Sequence, residues 1–324
     1  MQNLVLLSVI IPCYNNADHL FTCLNSLPKN DLIEIIIIND GSTDRSESEI
    51  NNFISVNKNM NIILVNQENS GVSMARNKGI ELSSGKYITF LDADDLWSTS
   101  LWETIKPVII ESKSDMVIFN ASRFYNDNLD DVSMLTITRL TDGYHVIHQL
   151  HDLSGIFESN GWFSWCRIYK KELFNGIKFP EGREYEDLAT IPVITSRVKN
   201  IFSISDSLIL YRSRSGSITR RPKEKHIDDI IHSMRCLYNM FIESDSSTKT
   251  RKMFGKTMQH EYSLLRSINK KVNGHCYFNS NQQKQIKELL KPFCNDFTFS
   301  LKLKAKFIYF YSAIAKINSK MKSC

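Results

Sequence analysis

Ordered cysteine spacing and long hydrophobic runs are both missing from this chain of 324 residues. Its 7 cysteines are scattered and form no Cys-x-x-Cys pair, so the pattern excludes a zinc ribbon and suggests no disulfide framework. Reduced thiols in a cytoplasmic protein are the expectation. No stretch approaches the roughly 20 apolar residues of a membrane-spanning helix. The opening MQNLVLLSVIIPCYN lacks a basic segment and a cleavage site, and we interpret it as a buried strand rather than a signal.

Two common phosphate-binding motifs are absent as well. The chain has neither a GxxxxGK[ST] loop, which cradles a nucleoside triphosphate, nor a GxGxxG turn, which binds a dinucleotide. P-loop nucleoside triphosphatases and Rossmann dehydrogenases are therefore not predicted. If this chain binds a nucleotide, the phosphate charge must be neutralised in another way.

Negative charge is concentrated in the first third of the chain and positive charge in the last. Residues 1–120 carry 8 Lys and Arg against 15 Asp and Glu, whereas residues 223–324 carry 19 against 8. Charge segregated in this way indicates surfaces that meet different partners. We predict a catalytic domain over residues 1–222, with a nucleotide-binding half at 1–120 and an acceptor and base half at 121–222. A basic helical region is expected over 223–324.

Buried strands alternate with helices through the first 120 residues. Continuous Ile, Val and Leu runs predict strands at 4–11, 33–38, 61–65, 86–91 and 116–119. A helix at 71–82 carries Arg76, and Ser42 or Thr43 is expected to cap the helix after the second strand. This alternation predicts a mostly parallel α/β sheet. Ligands of such sheets bind at the carboxyl ends of the strands, and polar residues follow four of these strands.

The fourth of these strands ends in Asp92, Asp94 and Asp95. Burying carboxylates is costly unless positive charge compensates for them. Asp92 and Asp94 are hard oxygen ligands suited to Mn²⁺ or Mg²⁺, ions that are usually completed by water and substrate phosphates. The predicted ligand is therefore a diphosphate held mainly by a metal. Arg76 either neutralises phosphate or orients an aspartate, and Asp95 is equally suited to capping the following segment.

Motifs along residues 6–218 resemble those of family 2 glycosyltransferases. They read SVIIPCYNN, IIIINDGSTD, ENSGVSMARNKGIELSSGKYITFLDADD and EGREYEDL, in the family's order. The resemblance implies the GT-A fold, a Rossmann-like α/β sheet that binds a nucleotide sugar, with an α-helical C-terminal extension in this chain. It implies inverting transfer of a hexose or N-acetylhexosamine from a UDP-sugar to an acceptor hydroxyl, with Asp94 as main metal ligand beside Asp92. The implied donor contacts are Pro12, Tyr14, Asn15, Asp40, Gly41, Ser42, Gly71, Arg76, Asp92 and Ala93.

Inverting transfer also needs a general base on the sugar face opposite the leaving group. The resemblance places that base in EGREYEDL, at Asp187 with Glu186 as its neighbour. Adjacent carboxylates near a metal site can raise one pKa, which suits a base that works near neutrality. The structural alternative is that these acids only begin a helix, where the helix dipole favours them.

Aromatic and basic residues downstream are the candidate contacts of the acceptor or the diphosphate. Trp162 and Trp165 can stack on sugar faces, although large aromatic residues also belong in cores. Arg212, Arg214 and Ser217 lie in a segment that resembles the family's closing loop. Many relatives carry a histidine metal ligand near this loop, but this chain has arginines there, which leaves a third protein ligand unassigned. His145, His148 and His151 are expected to lie on an ordinary helix face.

The C-terminal segment from residue 297 combines six lysines and no acid with regularly spaced aromatic residues. Helices are predicted at 227–241, 251–268, 282–290 and 301–317. A basic amphipathic helix is typical of proteins that lie on an anionic membrane, and equally of a helix that only caps a domain. The first interpretation predicts a cytoplasmic enzyme at the inner face of the plasma membrane. Nucleic acid is not an expected partner.

Two other classes of protein share parts of this pattern. A sugar-nucleotide nucleotidyltransferase would need a glycine-rich basic loop after the first strand, and PCYNNADHL has no glycine there. A non-catalytic nucleotide-sugar-binding protein would not need Asp92, Asp94 and Asp187 together. We therefore favour a metal-dependent glycosyltransferase of cell-surface polysaccharide synthesis, for capsule or O-antigen, with a glycan or lipid-linked glycan as acceptor.

Overall fold

A computed structural model describes residues 4–125, 128–213, 222–245 and 247–308. The chain divides into two compact units. The first comprises the described residues of Met1–His148, Gly161–Gly182 and Arg197–Arg214, and the second those of Gln149–Asn160, Arg183–Ser196 and Ser215–Cys324. The predicted functional boundary at residue 222 stays a prediction, because compactness alone does not test it.

All strands of the described residues belong to the first unit. They are β1 Leu7–Cys13, β2 Ile33–Asp40, β3 Asn61–Gln67, β4 Tyr87–Phe90, β5 Leu96–Trp97, β6 Met116–Tyr125, β7 Asn128–Leu135, β8 Gly143–Val146, β9 Arg167–Lys170 and β10 Asn200–Ser213. Its helices are α1 Ala17–Asn25, α2 Ser46–Val56, α3 Val72–Leu82 and α4 Leu101–Glu111. The second unit carries α5 Ser154–Phe157, α6 Glu186–Thr195, α7 Lys225–Glu243, α8 Thr248–Asn273, α9 Ser280–Leu290 and α10 Phe299–Lys306.

The strands form one mixed sheet in the order β3-β2-β1-β4-β9-β6-β10-β5, with β7 paired to β6 and β8 to β10. Pairing is parallel among β3, β2, β1 and β4, and between β6 and β10. It is antiparallel at β9. Because β1 lies between β2 and β4, the chain reverses its direction of travel across the sheet there, and such a switch point places strand ends around a cleft. The predicted α/β sheet is confirmed.

The apolar runs found in the sequence form the core of this sheet. Every residue of β1 and β2 is buried, as expected for strands covered on both faces. α3 packs closely on β1 because Gly79 has no side chain, and a Cβ there would lie 2.3 Å from Ile10 Cγ2. The described cysteines are free thiols.

Helices make up the second unit, and several have well-formed ends. The Ser247 side chain caps α8 by accepting from the N–H of Thr250, and Gly274 ends that helix in the left-handed conformation. Asn279 and Gln282 form a capping box at the start of α9. In the described part of the chain, no helix has both the length and the apolarity needed to cross a bilayer.

Two local predictions are wrong. α2 begins at Ser46 with no side-chain cap, because Ser42 and Thr43 instead bond to the loop after β1. The histidine triplet does not share a helix face: His145 lies in β8, where its Nε2 is 2.8 Å from the Thr141 carbonyl oxygen. In both cases a short-range pattern was overridden by contacts that are distant in sequence or by strand pairing.

Candidate active site

Hydrogen bonds centred on Asn15 join the loops after β1 and β2. Its N–H donates to Ser42 Oγ at 3.0 Å, and its Oδ1 accepts from the N–H of Thr43 at 2.8 Å. Asn15 has a φ of 51°, a conformation that asparagine tolerates better than most residues. Tyr14 is exposed beside it, while Pro12 is buried within β1. Tyr14 therefore offers its ring at this edge, and Pro12 shapes the strand.

Asp40 ends β2 and fastens it to the loop before α3. Its Oδ1 accepts from Gln67 Nε2 at 2.7 Å and from the Ser70 N–H at 2.9 Å, and its Oδ2 accepts from the Gly71 N–H at 2.8 Å. The residue is 3% exposed, so these three donors compensate for its burial. The structure thus gives Asp40 a role in fixing the loop. Its predicted contact with the nucleotide stays a prediction.

The same two loops also approach each other closely at Gly41. This residue has a φ of +70°, and a Cβ built on it would lie 2.7 Å from the backbone nitrogen of Asn69. No side chain fits in that space without a shift of backbone, and the positive φ disfavours any L-residue with a Cβ. Gly41 is therefore required by the way the loops meet.

Arg76 reaches from α3 to the carboxylate of Asp92. Its Nη2 is 3.1 Å from Asp92 Oδ1, and its guanidinium lies 5.4 Å from the ring centre of Phe179 and 5.9 Å from that of Phe90. Arg76 is 3% exposed, so a buried cation faces a partly exposed anion. Of the two roles predicted for Arg76, the structure shows the orientation of an aspartate. A contact with the donor stays a prediction.

Arg212 holds the acidic loop after β4 from the side of β10. Its N–H donates to Asp95 Oδ1 at 2.8 Å, its Nε donates to the Asp94 carbonyl oxygen at 2.8 Å, and its guanidinium packs over the Phe124 ring at 4.6 Å. Burial and the neighbouring charges of Asp94 and Asp92 raise the pKa of Asp95 well above its ordinary value, although Arg212 opposes the shift. Asp95 is buried and bonded to β10 rather than capping the following segment.

The residues at the end of β4 fit a divalent cation whose coordination is completed by a substrate. Asp92 and Asp94 are both partly exposed, and the buried Oδ2 of Asp95 has no hydrogen-bond partner among the described residues. Across residues 4–125, 128–213, 222–245 and 247–308, no group of three or more His, Cys, Asp or Glu side chains is placed to hold a metal. A pair of carboxylates suits Mn²⁺ or Mg²⁺, ions that retain waters and bind phosphate oxygens.

Glu186 and Asp187 lie in the first turn of α6, in the second unit. Both are partly exposed. Tyr185 precedes them with a φ of 62°, a left-handed conformation that is uncommon for a residue other than glycine. The helical placement that the structural alternative predicted is observed, and it is compatible with a catalytic role. The assignment of Asp187 as base, with Glu186 as its neighbour, stays a prediction.

Trp162 and Trp165 lie in the core of the first unit, each 2% exposed. The Trp165 ring stacks on Phe163 at 4.9 Å and on Tyr211 at 5.3 Å between ring centres. The core alternative is observed for both tryptophans, and the predicted stacking on sugar faces stays a prediction. Of the other predicted contacts, Ala93 is buried beside the aspartates, and Arg214 and Ser217 lie outside the described residues.

Sequence reasoning missed the residues that hold the predicted ones in place. Gln67 and Ser70 bind Asp40, and Phe179 lies against Arg76. Only the polar loop after the third strand hinted at the first two. Nothing in the local sequence connects Phe179 with Arg76, because the two residues are about a hundred positions apart.

The mixed sheet, its switch point at β1 and the acidic loop after β4 are those of the GT-A class of glycosyltransferases. S. aureus TarS residues 1–349, in a crystal structure with UDP-GlcNAc, shares the fold with a TM-score of 0.73 and 17% identity, over 95% of this chain and 88% of that one. The model of the family described as Glycosyl transferase family 2 matches residues 8–177. The chain belongs to this family.

The alignments with curated relatives cover different shares of those relatives' length. Glycosyltransferase GlyG of Streptococcus pneumoniae serotype 4 is 33% identical over 226 residues, which are 66% of this chain and 73% of GlyG. Minor teichoic acid biosynthesis protein GgaB of Bacillus subtilis is 29% identical over 240 residues, 70% of this chain and 25% of GgaB. The predicted family is confirmed, and the chain corresponds to only a quarter of GgaB.

Proposed function

We propose that this chain is an inverting glycosyltransferase that moves a hexose or N-acetylhexosamine from a UDP-sugar to an acceptor hydroxyl. The acceptor is a glycan or lipid-linked glycan in cell-surface polysaccharide synthesis. The observation that best supports a donor site is the acidic loop after β4, where Arg76 orients Asp92 and Arg212 bonds to the Asp94 carbonyl. The UDP-GlcNAc complex of TarS and the name of GgaB support the donor and the product class.

In this proposal, different residues bind the metal and transfer the proton. Asp94 and Asp92 would hold Mn²⁺ or Mg²⁺, which when bound neutralises the charge on the departing diphosphate. Asp187 takes the proton of the acceptor hydroxyl as its oxygen attacks the anomeric carbon. The bond from that carbon to the diphosphate breaks, UDP leaves with the electron pair, and the configuration inverts because attack and departure use opposite faces.

The identity of the donor is tested by a thermal-shift panel of UDP-, GDP- and TDP-sugars with Mn²⁺. We expect UDP-sugars to give the largest shifts, followed by release of UDP when water replaces the acceptor. A larger shift with a GDP- or TDP-sugar would contradict the UDP assignment. The sugar with the largest shift then serves as the probe donor in the experiments below.

The metal pair is tested by Asp94→Ala in calorimetric titration of UDP with Mn²⁺. Because Asp94 is the proposed main ligand, we expect metal-dependent binding of UDP to disappear. Asp206→Ala, at an exposed position of β10 in the same unit, is the matched control and should bind as the original chain does. Unchanged binding by the Asp94 variant would rule out this metal site.

The base is tested by Asp187→Asn, which keeps the shape of the side chain and removes its ability to accept a proton. We expect UDP release from the probe donor to fall by about 100-fold or more, while binding of UDP with Mn²⁺ persists. Asp206→Asn is the control. Full activity in the Asp187 variant would show that another group acts as base.

We also propose that α10 contacts an anionic membrane surface at the inner face of the plasma membrane. Phe299 at its start is 76% exposed, Phe307 follows its end and is exposed, and Lys302, Lys304 and Lys306 lie between them. Exposed aromatic rings enter the interface while lysines pair with anionic headgroups. Residues 309–324, which carry the rest of the predicted helix, lie outside the described residues.

Charge reversal separates this proposal from a structural cap. Lys302→Glu, Lys304→Glu and Lys306→Glu together should reduce sedimentation with phosphatidylglycerol vesicles. The same three-charge change at Lys284, Lys287 and Lys291, which are exposed on or just after α9, is the control. Equal loss in both variants would indicate non-specific charge attraction, and no loss in either would leave α10 as a cap.

A further inference from the structure

The turn before α6 holds a tyrosine in a conformation that costs free energy. Tyr185 has a φ of 62° and directly precedes the two acids that begin the helix. The left-handed region is disfavoured for a residue with a Cβ, because the Cβ comes too close to the following carbonyl oxygen. Such a residue persists only where neighbouring contacts over-determine it, and these residues cluster at functional sites. Neighbouring contacts must therefore hold this turn in place.

One carboxylate of α7 binds the turn at two points. Asp229 Oδ2 accepts from the N–H of Glu184 at 3.1 Å, and Asp229 Oδ1 accepts from Arg183 Nη1 at 3.1 Å. Asp229 is buried, so these two donors replace its hydration. The side chain thus clamps the backbone immediately before Tyr185 to the second turn of α7.

A second carboxylate binds the first turn of α7 from the opposite direction. Glu184 Oε1 is 2.6 Å from Lys225 Nζ, and Glu184 Oε2 is 2.5 Å from His226 Nε2. His226 Nδ1 accepts from the N–H of Lys223 at 3.1 Å, whereas the close contact between its Nε2 and Glu184 Oε2 lacks hydrogen-bond geometry. The Tyr185 ring meets the His226 ring edge-on, with centres 5.4 Å apart.

The charges around Glu184 favour its ionised form. Burial works against ionisation, but the Lys225 ammonium and His226 hold the pKa of Glu184 below its ordinary value. Its carboxylate also lies at the N-terminus of α7, where the helix dipole favours an anion. The Glu184 clamp is therefore charged, and both clamps bind the same short segment, residues 183–185.

We propose that Asp229 and Glu184 are positioning residues that hold the left-handed turn at Tyr185 and thereby orient the first turn of α6 for catalysis. This inference rests on the proposed role of Asp187 as base. α6 packs against α7, so a turn fixed to α7 sets where α6 begins. Misplacement of a catalytic group by about 1 Å can lower a rate by about 100-fold, which gives a reason for two carboxylate clamps on so short a segment.

The main test is Asp229→Asn, assayed by UDP release from the probe donor with Mn²⁺. The amide must point its NH₂ group at either Arg183 or the Glu184 N–H, so one clamp contact becomes repulsive. We expect kcat to fall by about 10-fold or more. The KM for the donor and the Kd of UDP should stay within about 2-fold of the original values, and the stoichiometry of UDP binding should not change. The reason is that the substitution leaves the donor site unaltered.

A second variant and a matched control keep the test decisive. Arg183→Gln removes one clamp contact at a partly exposed side chain and should lower kcat by about 3-fold; it decides the question if Asp229→Asn does not fold. Glu288→Gln breaks the ion pair between Arg235 of the same α7 and Glu288 of α9, and should leave kcat unchanged. Unchanged kcat in both clamp variants would overturn the proposal. So would a fall in kcat accompanied by loss of UDP binding, which would show a structural role only.

Failure of the proposal and failure of the base assignment give different results. If Asp187→Asn abolishes UDP release and the clamp variants are fully active, only the positioning role is wrong. If Asp187→Asn is fully active, the base assignment is wrong and the clamp has no base to position.

Discussion

Two buried carboxylates, one at a strand end of the first unit and one inside a helix of the second, are compensated differently. Asp40, at the end of β2, accepts three hydrogen bonds from a side-chain amide and two backbone N–H groups. Glu261, fully buried in α8, accepts one hydrogen bond, from Ser233 Oγ at 2.8 Å. Burial raises the pKa of Glu261 to about 8, so it is largely protonated at neutral pH.

The difference follows from which backbone groups are free to donate. Inside a helix each N–H is bonded to the carbonyl four residues earlier, so none is left for a buried carboxylate. Loops after parallel strands have N–H groups outside the ladder, and helix N-termini add more. A strand end can therefore surround a buried carboxylate with N–H donors, as at Asp40, whereas Glu261 inside α8 accepts from a side-chain hydroxyl and is largely protonated at neutral pH.

The largest effect is expected when Asp40 loses its carboxylate. Asp40→Ala leaves Gln67 and the N–H groups of Ser70 and Gly71 without their acceptor. We expect a loss of about 3–5 kcal/mol in the free energy of unfolding, measured with urea. Asp31→Ala, at an exposed position, should cost little. A loss below about 1 kcal/mol for the Asp40 variant would mean that water replaces its role.

A slightly smaller loss is expected from Gly41→Ala, which tests how closely the strand-end loops meet. The substitution adds a Cβ at a φ of +70° and 2.7 Å from the Asn69 nitrogen. We expect a loss of about 3 kcal/mol by the same measurement. Gly176→Ala separates the two causes, since Gly176 has a φ of +72° but no atom within 4 Å of a built Cβ. Equal losses would show that backbone strain alone matters.

Glu261 predicts a pH-dependent loss of stability in the helical unit. The unfolded chain ionises this group near 4.5, whereas the folded chain keeps the proton until about pH 8. The unfolded state therefore binds fewer protons in this window, and stability falls as pH rises from about 4.5 to about 8.

Glu261→Gln cannot ionise and should remove this dependence. As the pH rises from 6 to 8.5, the free energy of unfolding of this variant should increase by about 2–3 kcal/mol relative to that of the original chain. It is measured as the change in Tm across that range, with the exposed Glu243→Gln as control. Parallel pH profiles for both variants and the original chain would show that Glu261 is hydrated.

The smallest effect is expected at an exposed ion pair of the helical unit. Arg235 Nη1 lies 2.7 Å from Glu288 Oε1, with Glu288 half exposed. Glu288→Gln should lower the free energy of unfolding by less than about 0.5 kcal/mol, because solvent screens the pair. A loss of free energy several times larger would mean that exposed ion pairs also stabilise this unit.

The site residues that follow strands were predictable, and those that hold them were not. Runs of Ile and Val mark β1 and β2, and a polar cluster after each run is visible in a single sequence. Arg212 bonds to Asp95 across 117 positions, and nothing near either residue indicates the pair. The burial of Trp162 and Trp165 was equally hidden, because a tryptophan in a sequence carries no sign of which neighbours will cover it.

The order of apolar runs, glycines and acids was sufficient for the α/β sheet, the family and the acidic loop after β4, because these depend on local periodicity and on motif spacing. Tertiary structure alone decided which charges meet. It brought Arg76 to Asp92, bonded Asp95 to Arg212, and fastened the turn at Tyr185 to Asp229 through Arg183 and Glu184. Such contacts join side chains of separate elements, and their free energy depends on burial that only the packed chain creates.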